Sequence, residues 1–346
     1  MSRNSRQIAS IHPFGLMMAF IKKIIGLCVL FAILGGAYFM YWSQKPIIPE
    51  DAEAIEFSIT PGSGAHAAGQ QIAEAGVPIQ PLLFNLLARV TNKSSKLKAG
   101  SYELKPGSTP LRLIDQLARG EYAQEQLTII EGWTFRQMRA AIAAHKGLKH
   151  DTIALSDAEV MSAIASEYKD AEGLFFPDTY LFAKGSSDLQ IYKQAHAMML
   201  TRLAEAWDKR DPALPYKNKY EALTMASIVE KETGQKSERA MIAGVFVNRL
   251  KIGMLLQTDP TVIYGMGLKY DGKIRKKDLE TDTPYNTYTR AGLPPTPIAL
   301  PGVQSLTAAL APAKTAALYF VSKGNGTSQF SDNLNDHNRA VNQYQR

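Results

Sequence analysis

Residues 24–42, IIGLCVLFAILGGAYFMYW, carry no charged side chain. As a helix, these 19 residues span roughly 28 Å at 1.5 Å rise per residue, close to the hydrocarbon thickness of a bilayer. A buried helix of a soluble core would alternate polar and apolar faces, and nothing in this run is amphipathic. Lys22 and Lys23 stand before it, while Tyr38, Tyr41 and Trp42 stand at its far end. Cations inside and an aromatic belt outside predict a single N-terminal transmembrane helix over 23–42, with 1–22 cytoplasmic and everything after residue 45 beyond the membrane. A cleaved signal peptide is the competing reading, since Gly35 and Ala37 form a weak small-x-small site, but the run is long and rich in bulky aromatics.

The remainder has the material of globular domains: 346 residues, 45% hydrophobic. Four of the formal +7 charges come from Arg3, Arg6, Lys22 and Lys23, unopposed by any acid, leaving +3 for the rest. The basic balance therefore gives no reason to expect a nucleic-acid partner. Cys28, the single cysteine, lies in the apolar run, so the folded part offers neither a disulfide nor a thiolate zinc site. Walker loop, GxGxxG, GxSxG and HExxH patterns are absent, and six histidines are scattered along the chain. No cofactor and no metal are expected; His337 reads as a helix-surface residue.

After a proline-containing stalk over 43–54, a strand, turn and helix pattern recurs three times. The strands are predicted over 56–60, 102–105 and 126–130, the turns at Gly62, Gly107 and Gly132, and the helices over 65–75, 111–119 and 135–145. A further helix over 80–90 separates the first two copies. Units of this kind bury their apolar faces together, which predicts a small α+β module over 55–150. It loosely resembles the LysM glycan-binding fold; a spacer without ligand is the alternative. A hinge over 147–160 would lead to a larger α+β domain over 151–346. There Ser156 and Glu159 predict a capping box. The aromatic stretch EGLFFPDTYLF, 172–182, reads either as core under a turn or as the wall of a sugar site.

At the centre of that domain lies YEALTMASIVEKETG, 220–234, read as a mostly buried helix ended by Gly234, with Asn218 or Lys219 as poor caps. Glu230 falls at the edge of the apolar arc and Glu232 near Met225 and Ile228. Partial burial favours the protonated form of a carboxylic acid and suits it to donate a proton, but periodicity does not choose between the two. A solvated Glu-Lys-Glu end is the bland alternative. Asn248 and Arg249 close a second helix, from residue 237 to 251; they suit ligand amides or hydroxyls, and equally an ordinary helix end. Asp259 before Pro260 reads as an N-cap, or as a site carboxylate next to Gln257. The segment 283–301, TPYNTYTRAGLPPTPIALP, must be a structured loop because of its prolines, and it gathers Asn286 and Tyr288 among rings and hydroxyls, as a polysaccharide groove or a packed surface loop would. A hairpin over 318–330 and a helix over 335–344 complete the chain.

The combination of ASIVEKET, NRL, LQTDPTVIYG, YNTY, GLPPTPI, Pro301-Gly302 and LYFV resembles the membrane-anchored endolytic murein transglycosylases, the YceG-like family, along essentially the whole chain. The resemblance implies a lyase that cleaves nascent peptidoglycan strands between N-acetylmuramic acid and N-acetylglucosamine, leaves 1,6-anhydro-muramoyl ends and so terminates strand elongation. It carries the family's catalytic glutamate onto Glu230, with Gln257, Asp259, Asn286, Tyr288 and Asn248 as substrate-binding candidates. It further implies an inner-membrane, single-pass protein with periplasmic domains, working near peptidoglycan synthases. A silent glycan-binding scaffold and a two-carboxylate hydrolase using Asp259 or Glu232 are the alternatives.

Overall fold

The computed structural model describes residues 13–345; the N-terminal part of the expected cytoplasmic segment, 1–12, lies outside them. The chain forms two compact units that divide between Ala123 and Gln124.

The first unit begins with α1 (Pro13–Gln44) and continues through β1 (Ile55–Ile59), α2 (Ala65–Glu74), α3 (Pro81–Val90), β2 (Gly100–Leu104) and α4 (Pro110–Arg119). Within α1, residues Phe20–Gln44 are long and apolar enough to cross a membrane; most of their side chains are exposed, while near the C-terminal end Phe39 and Trp42 pack against the core of this unit and Ser43 is buried. β1 and β2 pair antiparallel, with Phe57 opposite Tyr102. Ile72, Phe84, Tyr102, Leu104, Leu113, Ile114 and Leu117 fill the core beneath them, each such side chain contributing about 1.5–3 kcal/mol by leaving water. The expected stalk over 43–54 is not free. Ile48 is buried in this core, and Ile47 N–H donates to Ser108 O at 2.8 Å while Gly107 N–H donates to Ile48 O at 3.2 Å.

The second unit comprises β3 (Gln124–Thr128), α5 (Phe135–Ala144), α6 (Asp157–Ala163), β4 (Thr179–Ala183), α7 (Leu189–Asp208), α8 (Lys219–Glu232), α9 (Arg239–Lys251), α10 (Asp259–Met266), α11 (Lys276–Glu280), α12 (Val303–Leu310), β5 (Tyr319–Ser322), β6 (Ser328–Ser331) and α13 (Leu334–Tyr344). The mixture of helices with two-stranded antiparallel sheets is α+β, as the pattern predicts. All three turn glycines adopt positive φ, at 84°, 72° and 78°, so the recurring strand, turn and helix is real.

The third copy, however, belongs to the second unit, which moves the boundary from 150 to 123. β3 pairs with β4, with Leu127 opposite Tyr180, and Phe135 of α5 stacks on Phe175 with ring centroids 4.8 Å apart. A local pattern cannot report a partner strand some fifty residues away. Nor are residues 147–160 a hinge: buried Asp188 accepts hydrogen bonds from the backbone N–H groups of Asp151 and Thr152 and from the Thr152 hydroxyl, pinning the segment to the start of α7. The Ser156 and Glu159 capping box is present and opens α6, which ends at Ala163, short of the helix to about residue 168 that the sequence pattern predicts. In the 172–182 stretch, Leu174 and Phe175 are fully buried and β4 turns Tyr180 and Phe182 inward, so its rings are core.

α8 runs through the middle of this unit. Every residue from Ala222 to Val229 is buried, the signature of a helix surrounded on all sides. Its buried polar group is satisfied: the Ser227 hydroxyl donates to Thr224 O at 2.7 Å and accepts from Ile298 N–H at 2.9 Å. Asn218, expected as a poor cap, caps the helix through its side chain, accepting from Glu221 N–H at 3.0 Å. The C-terminal end is set by Thr233, whose extended backbone stops the helix ahead of Gly234. That stop leaves Glu230, Lys231 and Glu232 in the last turn, each facing a different neighbour.

Candidate active site

Glu230 is built into the frame of the second unit. Its side chain is 5% exposed and that of its partner Arg239, at the start of α9, is 6% exposed. Arg239 Nη2 donates to Glu230 Oε1 at 2.9 Å, and Gly302 N–H, at the start of α12, donates to Glu230 Oε2 at 2.9 Å. Arg239 Nη1 also reaches Gln304 Oε1 at 3.2 Å. The carboxylate thus ties α8, α9 and α12 together, both its oxygens already accept, and it lines none of the clefts described below.

Glu232, two residues on and about 200° further round the helix, faces a cleft of about 1060 Å³. Gln257, Asp259, Tyr288 and Arg249 share that lining. Thr258 Oγ1 donates to Glu232 Oε2 at 2.5 Å, and Thr258 is held in turn by the Thr287 hydroxyl, which accepts its backbone N–H at 3.1 Å. Desolvation by burial raises the Glu232 carboxyl above the ordinary range; the Thr258 hydrogen bond opposes this, and the negative charge of Asp259 adds to it. Burial therefore favours the protonated form of Glu232, and among the described residues only its Oε2 accepts a hydrogen bond.

The other expected site residues divide. Gln257 lines the cleft in a left-handed backbone conformation, φ 49°, which is uncommon for a residue with a side chain. Asp259 is not the N-cap of α10, a position taken by Thr258; its carboxylate instead accepts from the Tyr288 hydroxyl at 2.6 Å. Asn286 and Asn248 are framework. The Asn286 amide donates to the carbonyls of Asp278, Leu279 and Thr281 and accepts Tyr288 N–H at 2.8 Å, closing α11 and holding Tyr288 in place. The Asn248 amide donates to the carbonyls of Thr315 and Ala317.

Arg249 is a buried cation whose Nε and Nη1 donate to the carbonyls of Leu318 and Leu256, both at 2.7 Å; the asparagine beside it attracted the substrate-binding expectation although only the arginine lines the cleft. His337 also lines it, stacked on Tyr319, rather than standing on an open helix surface. Thr258 had no signal beyond its place before Asp259-Pro260. Among the described residues no group of three or more His, Cys, Asp or Glu side chains is arranged to hold a metal ion.

A second cleft, of about 690 Å³, lies on the other side of the α8 and α10 ends. At its wall Glu172, 8% exposed, accepts from Phe135 N–H at 2.9 Å and from the Tyr264 hydroxyl at 3.1 Å. Burial pushes its carboxyl up to about 7 against the lowering effect of those two donors.

The model of the YceG-like family matches residues 57–343. An endolytic murein transglycosylase of Bacillus subtilis (strain 168) is 35% identical over 336 residues, covering 90% of this chain and 91% of that protein. One from Streptococcus pneumoniae serotype 2 (strain D39 / NCTC 7466) is 28% identical over 358 residues; the match covers 92% of this chain and 64% of that longer protein. The crystal structure of a YceG-like protein from Listeria monocytogenes superposes with a TM-score of 0.53 at 32% identity, covering 83% of this chain and 98% of that one. The chain belongs to the YceG-like family.

Proposed function

We propose that this protein is a lytic transglycosylase of peptidoglycan and that Glu232, rather than Glu230, is its acid and base. The observation that carries the reading is the shared lining of one open cleft by Glu232, Gln257, Asp259 and Tyr288, while Glu230 is consumed by Arg239 and Gly302. The relatives' names supply the substrate class.

Protonated Glu232 donates to the glycosidic oxygen between muramic acid C1 and the next glucosamine. The C1–O bond breaks, and positive charge develops on the muramoyl ring. Glu232, now a carboxylate steadied by the Thr258 hydroxyl and the Arg249 charge, takes the proton from the muramoyl C6 hydroxyl, and O6 bonds to C1. The proton returns to Glu232, no water enters, and the product is a 1,6-anhydro end. Gln257 and the Tyr288 hydroxyl are placed to orient the sugar substituents, and fixed dipoles of this kind stabilise developing charge without reorganising. α1 holds the enzyme at the membrane with its catalytic unit on the periplasmic side, where it cuts strands emerging from synthases and ends their elongation. The first unit, LysM-like in its strand and helix order, grips the glycan.

A second reading rests on Asp259 lying in the same cleft, because two carboxylates flanking a glycosidic bond make a hydrolase. Mass spectrometry of the products from uncrosslinked strands separates the two. Anhydro-muramoyl ends, lighter by one water, support the lyase; reducing ends alone would establish the hydrolase.

A further inference from the structure

Two pairs of consecutive residues straddle the two clefts. Lys231 lines the 690 Å³ cleft while Glu232 lines the 1060 Å³ one, and Pro260 lines the former while Asp259 lines the latter. The ridge between the clefts is therefore the end of α8 against the start of α10. A sugar held at Glu232 has the second cleft just across that ridge.

The second cleft has the lining of a site for a short zwitterionic peptide. The rings of Tyr264 and Tyr285, with centroids 4.9 Å apart, give it an apolar wall. Glu172, unlike Glu230, lines a cleft and has no cation beside it among the described residues; its Oε1 accepts from Phe135 N–H and its Oε2 from the Tyr264 hydroxyl, and the carboxylate keeps lone pairs that a ligand ammonium can take. Lys231 and the exposed Lys169 supply cations for ligand carboxylates; Lys231 Nζ spends one of its three donors on Gly132 O at 3.2 Å. Arg136, Asp157 and Asp170 line it as well, so three acids and three cations face one cleft, a mixture suited to a zwitterionic chain with one amine and three carboxylates rather than to a neutral sugar.

We infer that this cleft receives the stem peptide attached to the muramic acid that is being cleaved at Glu232. The inference rests on the peptidoglycan reading of the catalytic cleft. Four extended residues reach about 13 Å, and the clefts are divided only by the end of α8 and the start of α10, where neighbouring residues line opposite sides. Preference for strands that still carry their peptides follows, because the stem adds contacts that a bare glycan lacks.

The test is calorimetric titration of the full-length protein in detergent with the N-acetylated tetrapeptide L-Ala-γ-D-Glu-meso-diaminopimelate-D-Ala, whose blocked N-terminus matches the amide of the attached stem. Wild type binds it. Glu172→Gln, which removes the ammonium partner, and Ala158→Trp, which fills the cleft from the exposed face of α6, each weaken binding by at least about tenfold, or about 1.4 kcal/mol, at unchanged melting temperature for Ala158→Trp. No heat of binding at millimolar peptide, equal binding by wild type and Ala158→Trp, or displacement of the peptide by a peptide-free glycan tetrasaccharide would each overturn the inference. The peptide contains no glycosidic bond, so its binding stands or falls independently of whether Glu232 cuts.

Discussion

Thr258 and Glu232 are joined by a 2.5 Å hydrogen bond across the gap between α8 and α10. It fixes one carboxyl oxygen of a glutamate that lines the cleft. Glu230, on the same last turn of α8, has both oxygens occupied by Arg239 and Gly302. Two glutamates of one short motif have thereby been given different tasks by what surrounds them.

Removing one member of the buried Glu230 and Arg239 pair leaves an uncompensated charge. Glu230→Ala is expected to destabilise the second unit by about 3–5 kcal/mol, lowering its melting temperature by roughly 6–20 °C for a unit of this size. Replacing both partners, as Glu230→Leu with Arg239→Met, recovers much of that loss. Differential scanning calorimetry of Glu230→Leu, Arg239→Met and the double variant checks it, and additive losses would contradict the pairing.

Thr258→Val removes the hydrogen bond that steadies the Glu232 carboxylate. A bond to a charged group contributes about 1.5–3 kcal/mol, so kcat should fall roughly 10–150-fold. Because the same bond opposes the burial-driven rise in the Glu232 pKa, the basic limb of the pH–rate profile should move to higher pH. Thr258→Ser should restore both, and a profile that stays put would deny the contact a role in the proton transfer.

Glu172 makes stability depend on pH in a defined direction. Its folded-state value of about 7 lies above the usual 4.5, so between these limits the folded protein binds more protons than the unfolded chain. The stabilisation is complete below about pH 4.5 and is lost as pH rises towards 7, a change of about 3 kcal/mol. Urea midpoints of wild type and Glu172→Gln measured from pH 5 to 8 should converge on different slopes, with wild type losing ground to the variant as pH rises. Parallel curves would contradict the burial assigned to this carboxyl.

Asn286 holds Tyr288 through the Tyr288 N–H, so any effect of Asn286 on the substrate is expected to pass through Tyr288. Asn286→Ala strips a donor from three carbonyls and an acceptor from Tyr288 N–H, and should cost about 1–3 kcal/mol of stability. Steady-state assays at low temperature should show a KM raised more than kcat is lowered. A variant of full stability with kcat abolished would instead place the amide in the chemistry.

These contrasts mark where the sequence is readable. Repeated turn glycines, the Ser156 cap and the buried course of α8 all follow from local periods and local hydrogen bonds, and the structure has them. What failed was non-local. β3 chose a partner in β4, and the expected hinge was pinned by Asp188. Asn286 and Asn248 turned their amides to backbone carbonyls that no spacing rule brings near them. Glu230 and Glu232 sit on different sides of one helix, and which side meets Arg239 and which meets a cleft depends on α9, α10 and α12. Gln257, Asp259 and Tyr288, which family motifs marked in the sequence, line the same cleft as Glu232.

The most direct test compares Glu232→Gln with Glu230→Gln by mass spectrometry of glycan products from uncrosslinked peptidoglycan, with circular dichroism and melting temperature recorded for each variant. Glu232→Gln should stay folded and yield no anhydro-muramoyl ends. Glu230→Gln should be less stable yet still form them at a temperature where it is folded. Anhydro ends persisting in Glu232→Gln, or vanishing only in a folded Glu230→Gln, would contradict the assignment and return the chemistry to Glu230.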